Sequence, residues 1–284
     1  MDETVLPARR LRVAVVQMRD GEPPAESVAS ALALIDAAAA DGAEVVATPE
    51  LTNWHGSPAR HPDAALAIPG PVTDRFAESA RRHSIHLLVG SVLEAGAPGG
   101  RCFNTSLLFG PDGDIVATYR KIHLFDVELA EHTERESAAI APGGELVTAT
   151  VAGRVLGLSV CYDLRFPELY RGLVDAGAEM LAAPAAFTAV TGRAHWEVLL
   201  RARAIESQCF VIAPARVGRW DGGTTYGHSA IVDPWGRILA SLADEPGGHA
   251  IADLDFGELE RIRRELPSLA NRRLSGPEPA GARA

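Results

Sequence analysis

Three side chains of this sequence stand where chemistry is commonly placed. Glu50, Lys121 and Cys161 each follow an apolar run of strand character and end it with an ionisable group. In parallel sheets the strand ends and the loops after them carry the sites. A carboxylate, an ammonium and a thiol are the types from which covalent catalysis takes its proton carrier, its cation for an oxyanion and its nucleophile. Each also has an ordinary reading. Cys161 suits a small buried apolar residue, as Cys102 and Cys209 do; Glu50 suits a solvated or salt-bridged loop; Lys121, in Tyr119-Arg120-Lys121-Ile122-His123, suits an exposed basic face. What separates Cys161 from the other two cysteines is a turn into a helix beginning near Pro167. There, outward N–H groups favour a thiolate and a sharp turn exposes the sulfur. Metal chemistry is the lesser reading, because no CxxC occurs and His83 with His86, or His55 with His61, lacks a carboxylate framework.

The elements that must position these groups alternate. Residues 11–17 read as a strand buried on both faces. A helix follows, with Pro24 near its start, Val28, Leu32 and Ile35 as its apolar stripe and Gly42 past its end. Residues 44–48 form a second strand, 72–83 a helix and 85–92 a strand. A hairpin then pairs 106–109 with 115–119 around Pro111-Asp112-Gly113-Asp114. Further on, 155–160 predict a strand, 167–176 a helix, 179–183 a strand, 195–207 a helix and 209–215 a strand. A hairpin across Pro234-Trp235-Gly236, a strand at 250–253 and a helix at 259–266 complete the pattern. Residues 1–10 read as an extension, 11–266 as the domain, and 267–284 as a tail that is extended, disordered or packed on a partner subunit.

The chain also echoes itself. Gly42-Ala43-Glu44-Val45-Val46-Ala47-Thr48-Pro49 recurs as Gly177-Ala178-Glu179-Met180-Leu181-Ala182-Ala183-Pro184, and SLLFGPDGDIVA from Ser106 recurs as SAIVDPWGRILA from Ser229. Matches in the same order predict two related halves, each a sheet covered by helices, stacked as a four-layer αββα sandwich of the α/β class.

Composition narrows the function. With 47% hydrophobic and 23% charged residues among 284, the chain can fill a large core, which excludes wholesale disorder. A formal charge of −10 argues against nucleic acid and against an anionic membrane. The Ala-rich stretch 29–47 is broken by Asp36, Asp41 and Glu44, so it cannot span a bilayer, and the apolar run after Arg9-Arg10 is a strand rather than an export signal. Three irregularly spaced cysteines fit a reducing cytoplasm.

Thr48-Pro49-Glu50, Tyr119-Arg120-Lys121-Ile122-His123-Leu124-Phe125-Asp126 and Val160-Cys161-Tyr162-Asp163-Leu164-Arg165-Phe166-Pro167-Glu168-Leu169 together resemble the three signatures of the nitrilase, or carbon–nitrogen hydrolase, superfamily. The likeness runs over roughly residues 11 to 270. Through residues 194–206, Tyr226-Gly227-His228-Ser229 and Val232-Asp233-Pro234-Trp235-Gly236 it is similar to the Nit branch, whose members include deaminated glutathione amidase and ω-amidase. The family's αββα sandwich agrees with the repeat. The resemblance adds a second glutamate, Glu136, in Glu136-Ser137 ahead of Pro142-Gly143. That segment also carries Glu128, Glu131 and Glu134, so a solvated charge run is its ordinary reading. Two departures stand out: no Pro-Gly follows the Asp126 segment, and Thr48 stands where an aromatic often precedes the proline.

The resemblance implies hydrolysis of a small linear amide, of deaminated-glutathione or ω-amide type, to a carboxylic acid and ammonia, without metal or cofactor. Cys161 would attack the carbonyl and Glu50 would carry the proton. Lys121 with the Tyr162 N–H would hold the oxyanion, and Glu136 would hold Glu50 or the water. Arg165 could bind a carboxylate at the far end of the substrate, or pair with Glu168. Thr188 and Thr191 could line the mouth, with Phe187 as an apolar wall. Nitrile hydrolysis and carbamoyl-amide hydrolysis are sibling chemistries, although Tyr162-Asp163 resembles the amidase branches; a non-catalytic metabolite binder is the alternative of another class. Paired sandwiches, a homodimer or a larger homo-oligomer, are the implied assembly.

Overall fold

The computed structural model describes residues 9–129, 132–244 and 247–274. The first half runs β1 (Arg10–Arg19), α1 (Pro24–Ala40), β2 (Val45–Ala47), α2 (Pro71–His83), β3 (His86–Glu94), β4 (Phe103–Phe109) and β5 (Ile115–Arg120). A small hairpin, β6 (Asp126–Leu129) and β7 (His132–Arg135), separates it from the second half. That half runs β8 (Thr148–Val151), β9 (Arg154–Gly157), α3 (Pro167–Asp175), β10 (Met180–Ala182), α4 (Ala189–Ser207), β11 (Phe210–Ala213), β12 (Ala215–Trp220), β13 (Gly223–Tyr226), β14 (Ala230–Val232), β15 (Ile238–Ser241), β16 (Gly248–Asp255) and α5 (Phe256–Glu265).

Two sheets result. One is ordered β13-β12-β1-β2-β3-β4-β5, with β16 antiparallel to β1; the other is ordered β15-β14-β11-β10-β9-β8. The predicted repeat is visible in this order: β1-β2-β3-β4-β5 of the first sheet matches β9-β10-β11-β14-β15 of the second, with α1 and α2 answering to α3 and α4. Even single contacts repeat. Glu44 Oε2 accepts from the Arg12 N–H at 2.9 Å, and its repeat-mate Glu179 accepts from the Val155 N–H at 3.3 Å.

Alternation of side chains along each strand builds the layers. In β1, Val13 and Val15 face the second sheet and join Leu156, Leu158 and Leu181, whereas Ala14, Val16 and Met18 face α1 and α2. The stripe that α1 presents is Val28, Ala31, Ile35 and Ala38, all buried, and α2 adds Phe76 and Ala80. Each large apolar side chain so buried contributes roughly 1.5–3 kcal/mol. Proline opens both helices, where its missing N–H costs nothing.

The structure differs from the sequence expectation at four places. Helix α4 begins at Ala189 rather than 195, so Thr191 lies in its first turn and Thr188 immediately before it. Residues 209–215 are not one strand: the chain leaves the second sheet after β11, passes Pro214, and joins the first sheet as β12 beside β1. Proline cannot donate to a ladder, and the break falls there. The ladder of the predicted strand 155–160 ends at Gly157. The acidic segment after Lys121 folds into β6–β7, on which Glu128 stays exposed as a solvated run would have it while Glu136 beyond it is buried; Glu131 lies outside the described residues. Of the tail, residues 275–284 also lie outside them, while Arg272 is paired with Asp175 at 2.9 Å. Among the described residues no helix is long and apolar enough to cross a membrane.

Candidate active site

Glu50 is carried by a turn that leaves β2 and is braced from both sides. Beneath it runs β3, where Gly90 is required: a Cβ there would lie 2.0 Å from the Thr48 carbonyl oxygen and 2.5 Å from that of Pro49. The Leu51 N–H donates to Ser91 Oγ at 2.8 Å, and Leu51 takes a left-handed φ of 54°. Above it, the buried guanidinium of Arg216 donates to the carbonyls of Glu50 and Leu51 at 3.0 and 2.7 Å. Lys121 follows β5 in the same manner. Its N–H donates to the Asn104 carbonyl at 2.9 Å, and its own carbonyl accepts from the Gly143 N–H at 2.8 Å. Gly143 must lack a side chain, since a Cβ would meet the Arg120 oxygen at 2.1 Å.

Cys161 opens a short 3-10 turn, Cys161–Arg165, with a left-handed φ of 49° that is costly for a residue with a Cβ. Asp163 holds the turn in place. One of its oxygens accepts from the Val160 N–H at 2.8 Å and the Tyr119 hydroxyl at 2.7 Å, and the other from the His123 N–H at 3.0 Å. The carboxylate thereby ties the cysteine turn to the strand and loop on either side of Lys121.

These turns bring four charged or polar groups into contact. Lys121 Nζ donates to Glu50 Oε1 at 2.9 Å and to Glu136 Oε1 and Oε2 at 3.0 and 2.8 Å. Asn104 Nδ2 donates to Oε1 of both glutamates, at 2.9 and 3.2 Å. The Ala186 N–H donates to Glu50 Oε2 at 2.9 Å, and Cys161 shares a pocket with the same carboxylate. Glu136 is therefore joined to Glu50 through Lys121 and Asn104 rather than directly. All are buried.

Burial so deep opposes every charge, and the neighbours decide the outcome. For Glu50, burial is outweighed by the Lys121 charge and by hydrogen bonds from Cys161, Lys121 and Ala186, so its pKa lies below the usual 4.5. Glu136 goes up, because burial and the Glu50 charge exceed the pull of Lys121. Burial works against Lys121 too, but the charges of Glu136 and Glu50 raise it well above its ordinary value. For Cys161, burial first and the Glu50 charge second push the thiol well above its ordinary value. This corrects the expectation of a resting thiolate: Cys161 is only 9% exposed, and the Glu50 anion acts on it more strongly than the Lys121 cation. The resting pair is a thiol and a carboxylate.

The group opens onto a pocket of about 560 Å³ of space unoccupied by atoms, walled by Phe125, Tyr162, Phe187, Thr188, Thr191, His55, His61 and Trp220. A family model described as carbon-nitrogen hydrolase matches residues 12–264, which include every one of these groups. The chain belongs to the carbon–nitrogen hydrolase family. It is 42% identical over 265 residues to a deaminated glutathione amidase of Synechocystis sp., covering 91% of this chain and 97% of that one. It is 37% identical over 265 residues to the mouse omega-amidase NIT2, covering 92% and 95% respectively. The crystal structure of the C. elegans NitFhit protein superposes with a TM-score of 0.88 at 35% identity, over 94% of this chain and 66% of that one.

In this carbon–nitrogen hydrolase the structure brings Glu50, Lys121, Cys161 and Glu136 together and sets Tyr162, Phe187, Thr188 and Thr191 in the pocket wall. Arg165 is elsewhere. Its guanidinium lies 5.0 Å from the Phe187 ring centre and 5.8 Å from that of Tyr162, its Nη1 is 3.2 Å from His195 Nδ1, and it is not part of the wall. Among the described residues it forms no ion pair with Glu168, and the two rings it lies over belong to the pocket wall. Sequence reasoning missed Asn104, Asp163 and Arg216 as organisers of the site, and His55, His61 and Trp220 in its wall. Asn104 is followed by Thr105 and Ser106 in β4, and Arg216 shares β12 with Arg219, so nothing local to either strand singles them out.

Proposed function

We propose that this carbon–nitrogen hydrolase cleaves a small linear amide, of the deaminated-glutathione or ω-amide type, to a carboxylic acid and ammonia through a thioester on Cys161. The observation that carries this reading is the Cys161 thiol sharing one pocket with a Glu50 carboxylate that Lys121, Asn104 and the Ala186 N–H hold in place. Glu50 takes the thiol proton as sulfur attacks the carbonyl, which spares the site a buried thiolate. Charge then develops on the carbonyl oxygen, to be met by Lys121 and by the Tyr162 N–H, which lies too early in its turn to have an intrahelical acceptor. The protonated Glu50 passes its proton to the nitrogen, and ammonia leaves. Water adds to the thioester, giving its proton to Glu50; the carboxylic acid departs and the proton returns to sulfur. Glu136 and Asn104 keep Lys121 and Glu50 in register throughout.

The amidase names of two close relatives support the amide over its siblings. A homodimer belongs to the same reading, supported by exposed apolar side chains on α4 and on the β14–β15 hairpin, among them Val198, Ile205 and Trp235. A reducing cytoplasm suits the three unpaired cysteines.

The test is ammonia release from 2-oxoglutaramate, deaminated glutathione, glutamine and a simple nitrile, with intact-mass detection of the acyl adduct. The adduct is expected with the amides and absent in Cys161→Ala, and Glu50→Gln is expected to lower kcat by roughly a hundred- to ten-thousandfold. Turnover of the nitrile alone, or an adduct persisting in Cys161→Ala, overturns the reading.

A further inference from the structure

The β12–β13 hairpin takes no part in these steps, yet its tip enters the pocket wall. The ladder pairs Val217 with Tyr226 and Trp220 with Gly223, which leaves Asp221 and Gly222 as the connection. Trp220, the last residue of β12, lines the pocket and also two outer grooves. One groove lies along the start of α4 and carries Val190 and Arg193. The other lies between the hairpin and the turns that hold Glu22, Trp54 and Arg60. Among the described residues Trp220 alone borders all of these spaces, so its ring is the partition between them.

The ring is braced from several directions. It meets the His55 imidazole with the ring centres 4.6 Å apart, and Asp20 Oδ1 fixes that imidazole through Nδ1 at 2.8 Å. The same carboxylate takes the Arg216 Nη1 donor from β12 at 3.3 Å and the Thr225 hydroxyl from β13. Both strands of the hairpin are thus tied to the residue that orients the neighbour of its tip. At the turn, Gly222 must lack a side chain, because a Cβ there would lie 2.0 Å from the Trp220 ring. On the side of α4 the Tyr226 N–H donates to the Phe187 carbonyl at 2.8 Å, and Thr225 bridges Thr188. An indole has few torsions of its own, and a hairpin so tied holds it as a fixed wall.

We infer that Trp220 is the specificity-determining residue that closes the acyl end of the pocket, so that the enzyme takes short linear amides and rejects acyl chains that would run past the ring. This rests on the amide reading above and adds the length limit of the substrate. In that reaction the nitrogen departs as ammonia, so the whole remainder of the substrate is acyl chain and must be housed between Cys161 and the pocket wall. That wall is rich in rings, with Phe125, Tyr162 and Phe187 beside Trp220, and it covers methylenes as far as the partition. Without the indole, the pocket would join the grooves on either side. A longer chain would then find surface to cover, and a terminal carboxylate could end in the groove that carries Arg193 rather than in the one that carries Glu22 and Asp221.

The experiment compares kcat/KM, by ammonia release, for the monoamides of glutaric and suberic acid, ω-amides that differ by three methylenes. Wild type is expected to prefer the shorter. In Trp220→Ala the ratio of suberic to glutaric monoamide should rise roughly ten- to a hundredfold, mainly through KM, and Trp220→Leu and Trp220→Phe should raise it less, in that order. A merely structural role for the ring would slow both substrates together and leave the ratio where it was. Should Trp220→Ala fail to fold, Trp220→Leu and Trp220→Phe decide by the same ratio. A wild-type preference for the longer amide, or a ratio that stays level or falls in the variants, overturns the length limit while leaving amide hydrolysis intact. So does a failure to turn over glutaric monoamide, since a short ω-amide is what the pocket should admit. Ammonia and acyl adduct missing with every amide overturns both.

Discussion

Arg216 grips the main chain of Glu50 across a sequence separation of 166 residues, its Nε donating to the Glu50 carbonyl at 3.0 Å. The same guanidinium reaches the carbonyls of Leu51 and Arg19 at 2.7 and 2.9 Å and the Asp20 carboxylate at 3.3 Å. A planar fork of five donors suits this cluster of acceptors as no other side chain would. The turn carrying Glu50 is held by a residue from the second half of the chain, so the orientation of this carboxylate depends on β12 having joined the first sheet beside β1.

Replacing Arg216 by Met keeps length and removes every donor. The Asp20 charge would lose a partner in a buried site and three carbonyls would each lose a donor, so unfolding in urea should show a loss of about 3–5 kcal/mol. Because the Glu50 turn would slacken, kcat should fall roughly ten- to a hundredfold in protein still folded at the assay temperature. Wild-type stability with unchanged kcat would show that the turn stands without the arginine.

Asp163 is the corresponding brace for Cys161. In Asp163→Asn an amide nitrogen must face one of the donors that now converge on the carboxylate, Val160 N–H, Tyr119 hydroxyl or His123 N–H. The expected loss is about 2–4 kcal/mol by thermal or urea unfolding. Tyr119→Phe removes one bond alone and should cost about 1 kcal/mol. Equal losses in the two variants would mean that the hydroxyl, not the main-chain contacts, anchors the turn.

The pH dependence follows from the directions of the shifts. Glu50 lies below 4.5 and Cys161 well above 9.0, so the thiol–carboxylate pair persists between them. The profile of kcat/KM should be flat through neutrality, with its acidic limb below pH 4.5. A limb near pH 6 would assign the proton carrier to an imidazole instead. Stability follows the same sign rule. Asp20 is depressed from 3.8 to about 2, so its contribution is complete above pH 3.8 and is lost as pH falls toward 2. Urea unfolding of wild type and Asp20→Asn across pH 2 to 6 should converge at the acidic end.

Much of the architecture was legible because it is written locally. Buried strands announce themselves as short apolar runs, and α1 shows its start, stripe and stop within residues 24–42. The repeat of 42–49 at 177–184 carried the topology, since equivalent strands took equivalent places in the two sheets. Where expectation failed, a non-local partner decided. Pro214 sends β12 to the first sheet, which no pattern within 209–215 reveals. The acidic run after Lys121 became β6–β7, with Glu136 drawn inward by Lys121.

By itself the sequence determined the types of the reacting groups and the ends of the strands on which they sit, because turn chemistry and side-chain period act over a few residues. Only the tertiary structure decided their state. Whether Cys161 rests as thiol or thiolate depends on burial and on the separation from Glu50, quantities that arise when distant turns meet in a low-dielectric interior. The same holds for Asn104, which reads as one polar residue in a strand and becomes the bridge between two carboxylates. It holds too for Arg165, whose guanidinium is set over the Phe187 and Tyr162 rings. Charge and hydrogen bonding are properties of neighbours in space, and sequence order names few of them.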